Sequence, residues 1–147
     1  MDNVVKSTRR YPKTHARSFA SHPRAVRWSD NNKLTPDKLF LNSHDKYWFK
    51  CDVCPHEFLC SLANINKGKW CPYCGTYPKQ LCDNDCIDCF NRSFASDSRH
   101  GSWSTLNELT ARQCFLSSGK KYLFDCSVCL HTFSSTLNHI DGGTWCP

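Results

Sequence analysis

Cys51-x2-Cys54 and Cys71-x2-Cys74 are residues of the right type and spacing to hold a metal ion. Each pair forms a tight knuckle, and the 16 residues between the pairs leave room for a hairpin that brings the knuckles together. Soft thiolates in this pattern select zinc over magnesium or calcium. Disulfides, idle buried thiols and an iron–sulfur centre are the other uses of such residues. A second set begins the same way with Cys126, Cys129 and Cys146. Its fourth ligand is due two residues past Pro147, so the motif reads as running beyond the sequence given. His131 is the nearest substitute. The plainer reading of His56 and His131 is a hairpin histidine that hydrogen-bonds a thiolate or a carbonyl. A third group, Cys82-x3-Cys86-x2-Cys89, suggests a third zinc, with Asp97, His100 or Cys114 as its fourth ligand. The alternative is a linker of free thiols. Cys60 and Cys114 face Ser135 and Leu39 in the repeat described next, and both read as small core residues.

These groups are set on a repeat. Ser18 to Pro72 aligns without a gap to Ser93 to Pro147 at an offset of 75, with 27 of 55 positions identical. A match of that extent means two copies of one module. The copies keep seven aromatic pairs: Phe19/Phe94, Trp28/Trp103, Phe40/Phe115, Tyr47/Tyr122, Phe49/Phe124, Phe58/Phe133 and Trp70/Trp145. They also keep Leu34/Leu109, Leu62/Leu137 and Ile65/Ile140. Arg24/Arg99 and Lys46/Lys121 are the charged pairs kept, with Arg17/Arg92 just outside, and no carboxylate is kept. Hydrolytic sites need positioned carboxylates or a histidine base, so the repeated unit is expected not to be an enzyme. The fold expected is small α+β: two tandem zinc-stabilised treble-clef or zinc-ribbon-like modules, each with short helices and a β-hairpin. Ser21-His22-Pro23 predicts a cap and a short helix through Trp28, and Thr35-Pro36-Asp37 a second through Leu41. Alternation predicts one strand over 46–51 and another carrying Phe58, Cys60 and Leu62. The chain divides into a basic arm (1–17), module 1 (18–74), a Cys-rich linker (75–92) and module 2 (93–147).

Twelve cysteines in 147 residues are enough to staple modules too short to hold a large core. No apolar run approaches the ~20 residues of a membrane helix, and Met1 to Arg10 is polar and basic. Secretion and membrane insertion are therefore not expected, which favours metal over disulfide. The net charge of +6 sits at the N-terminus: residues 1–27 carry seven cations against Asp2, and the rest balances. Two four-thiolate zincs would lower the total to about +2, leaving the body acidic and only the arm basic. A solvated tail, or an arm for phosphate or acidic protein, fits that distribution.

The runs SFASHPRAVRWSDNNKLTPDKLF, KYWFKCDVCPHEF and GKWCPYC, with LCDNDCIDCFNRSFAS between the copies, resemble a known family. These are treble-clef-like zinc domains found as tandem repeats in giant DNA viruses of amoebae, especially marseillevirus-like ones. The resemblance covers about residues 17 to 147. It implies zinc on Cys51, Cys54, Cys71, Cys74, Cys126, Cys129 and Cys146. Related domains stand beside very-short-patch-repair-like endonucleases, where a DNA-binding role is inferred. The family often has glycine before the histidine, where Pro55 and Leu130 stand here, and its SFASH becomes SFASD at Asp97. Two functions follow as expectations. The first is a non-catalytic structural or interaction protein with two or three zinc ions and no small-molecule substrate. It would be a virion component, such as a minor capsid or scaffold protein among other virion proteins, or reside in the host cytoplasm or viral factory. The second is a nucleic-acid-binding protein whose contacts would come from Arg9, Arg10, Arg17, Arg24, Arg27 and Arg99 with Trp28 and Trp103. Trp48 is the better expectation for an exposed ring.

Overall fold

A strand in which Tyr47 and Phe49 alternate with Trp48 and Lys50 buries one face only, and β1 (Lys46–Lys50) does so in the computed structural model, which describes residues 10–147. It pairs antiparallel with β2 (Glu57–Ser61), setting Phe49 opposite Phe58 and Trp48 opposite Leu59. Phe49 and Phe58 are buried; Trp48 and Leu59 are exposed on the other face. The expectation that β2 continues through Leu62 is corrected. Ser61 ends the strand and caps α1 (Leu62–Asn66), its Oγ accepting from the Asn64 N–H at 3.3 Å. Leu62 and Ile65, three residues apart, then turn one helical face into the core. Gly68, at φ +86°, reverses the chain toward the second knuckle.

The segment before β1 is a series of 3-10 turns rather than α-helix. The cap expected at Ser21 lies one residue on. His22 Nδ1 accepts from the Arg24 N–H at 3.0 Å, and Pro23 opens the turn Pro23–Arg27. Asp97 does the same work in the second copy, where its carboxylate accepts from the Arg99 N–H at 2.8 Å. The two residue types differ, yet both present an acceptor to the same backbone position. The second turn, Pro36–Lys38, ends before Leu41, and Leu39 enters the core.

Module 1 packs around Phe49. Its ring meets Phe19, Trp28, Phe58 and Trp70 at centroid distances of 5.7, 5.4, 6.0 and 5.8 Å. Module 2 repeats the arrangement with β3 (Lys121–Asp125), β4 (Thr132–Thr136) and α3 (Leu137–Asp141), centred on Phe124. Cys114 stands in the place of Leu39 and is buried there, in keeping with a small core residue.

One polar pair that the repeat retains was not singled out from the sequence: Asn32 and Asn107. Asn32 Oδ1 accepts from the Trp48 N–H at 2.9 Å, and its Nδ2 donates to the Trp48 carbonyl at 2.8 Å and the Ser29 carbonyl at 3.2 Å. Asn107 makes the same three bonds to Leu123 and Ser104. The amide thus stands in for a neighbouring strand along the free edge of the hairpin. Asn32→Ala is expected to destabilise module 1 by roughly 1–3 kcal/mol, because the edge groups lose their partner. Thermal melting checks this; an unchanged midpoint contradicts it.

The chain separates into two compact units, Met1–Tyr77 and Pro78–Pro147. The described residues of the arm, 10–17, fall within the first unit. Arg17 is tied to it, its carbonyl accepting from the Leu41 N–H at 3.1 Å. From 78 onward the linker belongs to the second unit, where α2 (Ile87–Arg92) precedes Ser93 and the Arg92 carbonyl accepts from Leu116 at 2.9 Å.

Candidate metal centres

The first centre is built by three pieces: the turn after β1 brings Cys51 and Cys54, β2 returns the chain, and α1 with Gly68 delivers Cys71 and Cys74. Their four Sγ atoms lie within 4.8 Å of one another. Cys51 to Cys74 is 3.5 Å and Cys54 to Cys71 is 3.6 Å. A tetrahedral zinc with Zn–S bonds of about 2.3 Å requires sulfur pairs about 3.8 Å apart. A disulfide requires about 2.05 Å, and every cysteine here is free. The donor set therefore fits zinc. Backbone N–H groups of Val53 and Tyr73 each point at a ligand sulfur at 3.4 Å, as a thiolate demands. His56 is buried with Nδ1 3.0 Å from Cys54 Sγ, and its ring stacks on Tyr73 at 4.4 Å. The hairpin histidine is thus set against a ligand sulfur.

Burial pushes the Cys54 thiol up to about 12 and those of Cys71 and Cys74 up to about 11. Burial raises Cys51 as well, but the N–H groups of Val53 and Cys54 draw it down to about 7. At pH 7–9 the metal must therefore displace protons from Cys54, Cys71 and Cys74. Affinity should fall as pH falls, by about three decades per pH unit in that range, and more steeply below pH 7 when Cys51 also protonates. Competition with a chromophoric chelator across pH measures this slope, and a pH-independent constant contradicts it.

The second centre has Cys126, Cys129 and Cys146 within 4.8 Å, with Cys129 and Cys146 3.4 Å apart. The N–H groups of Cys129 and Val128 draw Cys126 down to about 7. His131, the substitute ligand considered from the sequence, is exposed and outside this group; its carbonyl accepts from the Cys126 N–H at 2.9 Å. Leu130 takes φ +62° in this turn. The left-handed region costs a branched side chain about 1–2 kcal/mol and glycine nothing. Leu130 is exposed and packs little, so Leu130→Gly should stabilise module 2 by up to about 1 kcal/mol. A lower melting midpoint for that variant contradicts the strain argument.

The third group brings Cys82, Cys86 and Cys89 together within 4.8 Å around the start of α2. Arg112 donates to Cys82 Sγ at 3.6 Å and to the Asn84 carbonyl at 3.1 Å. Neither Asp97 nor His100 joins these cysteines. Asp97 accepts from the Arg99 guanidinium at 3.0 and 3.1 Å, and His100 Nδ1 lies 2.8 Å from the Asp97 carbonyl. Cys114 is in the core of module 2, and Cys60 in none of the three groups.

Arg24 and Arg99 are each bonded inside their own module. Arg24 bridges to Asp52 at 2.8 Å and lies 4.0 Å over the Trp70 ring, while Trp70 Nε1 donates to the same carboxylate at 3.0 Å. Ser127 stands where Asp52 would repeat, and Arg99 takes Asp97 instead. Each arginine keeps one carboxylate, supplied from different positions. Trp28 and Trp103 are half-buried, and their Nε1 groups donate to the Leu34 and Leu109 carbonyls, both at 2.9 Å. Four of the residues expected to contact nucleic acid thus have bonding partners within their own modules. Arg10, Arg17 and Arg27 are exposed, and Arg9 lies outside the described residues.

Residues 25–77 match a family described as a Probable Treble clef zinc finger domain. An uncharacterized protein of Acanthamoeba polyphaga mimivirus is 38% identical over 121 residues, covering 82% of this chain. The chain spans 29% of that relative's length. With the cysteine groups above, the architecture is that of tandem zinc-binding treble-clef modules holding zinc at two or three sites.

Proposed function

We propose that the chain is a non-catalytic, zinc-stapled structural and interaction protein of a large DNA virus, packaged as a minor capsid or internal scaffold component. The observation that carries this reading is where the retained groups go. Arg24, Arg99, Trp28 and Trp103, four of the residues both copies keep besides their ligands, make internal bonds. The first centre is closed by four thiolates, which leaves zinc no position for a substrate or an attacking water. Similarity to a mimivirus protein supports the viral part; a marseillevirus-like source is a narrower form of it. No helix among the described residues is long and apolar enough to cross a membrane. The test is quantitative mass spectrometry of purified virions of the source virus against infected-cell lysate, with cross-linking. Enrichment in particles and cross-links to shell proteins are expected. Absence from particles, with co-fractionation on viral DNA, overturns it.

A second reading, nucleic-acid binding, is favoured by one observation: Arg10, Lys13 and Arg17 stand exposed together on module 1. The occurrence of related domains beside repair-type endonucleases belongs to this reading.

A further inference from the structure

Module 1 has a cleft where its N-terminal residues meet the turn at Phe40. Arg10, Tyr11, Lys13, Arg17 and Phe40 line a space of about 560 Å³. A second hollow of about 410 Å³ continues from Arg17 and Phe40 past Ala16, Leu41 and Asn42. Three cations and two rings face this space, and among the described residues no carboxylate lines it. Tyr11 is 51% exposed and Phe40 41%, so Phe40, a retained ring, is more open than Trp48 at 37%. Among the described residues no carboxylate is bridged to Arg10, Lys13 or Arg17. The floor is fixed, because Ser18 forms an antiparallel bridge with Phe40 and Arg17 is bonded to Leu41.

Module 2 does not repeat this chemistry. The positions of Arg10, Tyr11 and Lys13 carry Asp85, Cys86 and Asp88 there, while Arg92 and Phe115 remain. The same place in the fold has become part of a thiol group in one copy and a basic, aromatic cleft in the other.

We infer that this cleft binds single-stranded nucleic acid, with bases stacked on Tyr11 and Phe40 and phosphates held by Arg10, Lys13 and Arg17. It rests on the nucleic-acid reading above. Flat rings beside cations suit a strand whose base faces are open. Duplex DNA hides those faces in its stack, and an acidic peptide would leave both rings unused.

The test uses the full zinc-loaded chain and a fluorescein-labelled oligothymidylate of about 15 nucleotides, a length near the upper site sizes of such proteins. Anisotropy is followed across a salt series, with unlabelled duplex and polyglutamate as competitors. The oligonucleotide should bind more tightly than either competitor. Tyr11→Ala and Phe40→Leu should each weaken binding by roughly 5- to 150-fold with little change in salt dependence. Arg10→Gln and Lys13→Gln should each flatten the salt slope by about 0.7. Thermal melting accompanies Phe40→Leu, and Tyr11→Ala alters an exposed side chain. Binding that persists undiminished in both ring variants overturns the cleft but leaves the nucleic-acid reading. Failure of the unaltered chain to bind either nucleic acid overturns both. Equal displacement by polyglutamate overturns the inference in favour of an acidic protein partner.

Discussion

Cys71→Ser is expected to cost module 1 both its zinc and its fold. Cys71 is 8% exposed, packs in the core with Phe49 and Ile65, and supplies a thiolate 3.6 Å from Cys54. A hydroxyl is a poor zinc ligand, and three thiolates would be left to hold the ion. Structural zinc contributes on the order of 10 kcal/mol to domains of this kind, more than a unit with seven core residues can replace. Metal analysis should show one zinc fewer per chain. Amide NMR should show the signals of module 1 collapsing to unfolded positions while those of Phe124 and its neighbours persist. A Cys71→Ser protein with full zinc content and an unchanged melt contradicts the metal account.

The next largest effect belongs to Phe49→Ala. Phe49 is fully buried and touches four other rings, so its removal leaves a cavity that 3-10 turns and a two-stranded hairpin can do little to close. Such truncations cost about 3–5 kcal/mol, which is most of the stability of a domain this size. The neighbouring residue supplies the control. Trp48 is larger but 37% exposed on the opposite face, and Trp48→Ala should cost about 1 kcal/mol or less. Denaturant melts of the two variants test the difference. Equal losses would mean that the ring cluster is not the core.

Chemistry that fixes spacing was legible in the sequence. Two cysteines three positions apart have few other uses, and the offset of 75 separated ligands from bystanders such as Cys60 and Cys114. Alternation of Tyr47 and Phe49 gave the hairpin because one face is buried and the other is not. Leu62 was misplaced because it suits two periods, lying two residues from Cys60 and three from Ile65. The serine before it, with Asn64 three residues on, is the cap signal that decides between them. Asn32 was passed over because its partners are backbone groups 16 residues away, which no side-chain pattern records. No carboxylate is retained beside Arg24 and Arg99, so the repeat does not show their internal partners. The carboxylate had moved, from Asp52 in one copy to Asp97 in the other. Retention alone does not tell a buried ring such as Phe49 from an exposed one such as Phe40.

Native mass spectrometry of the full chain, purified with zinc and without added reductant, tests the central claim most directly. A mass corresponding to two or three zinc ions with all 12 cysteines reduced is the predicted result. A metal-free chain lighter by two hydrogens for each of several disulfides, or one carrying iron and inorganic sulfide, would contradict it.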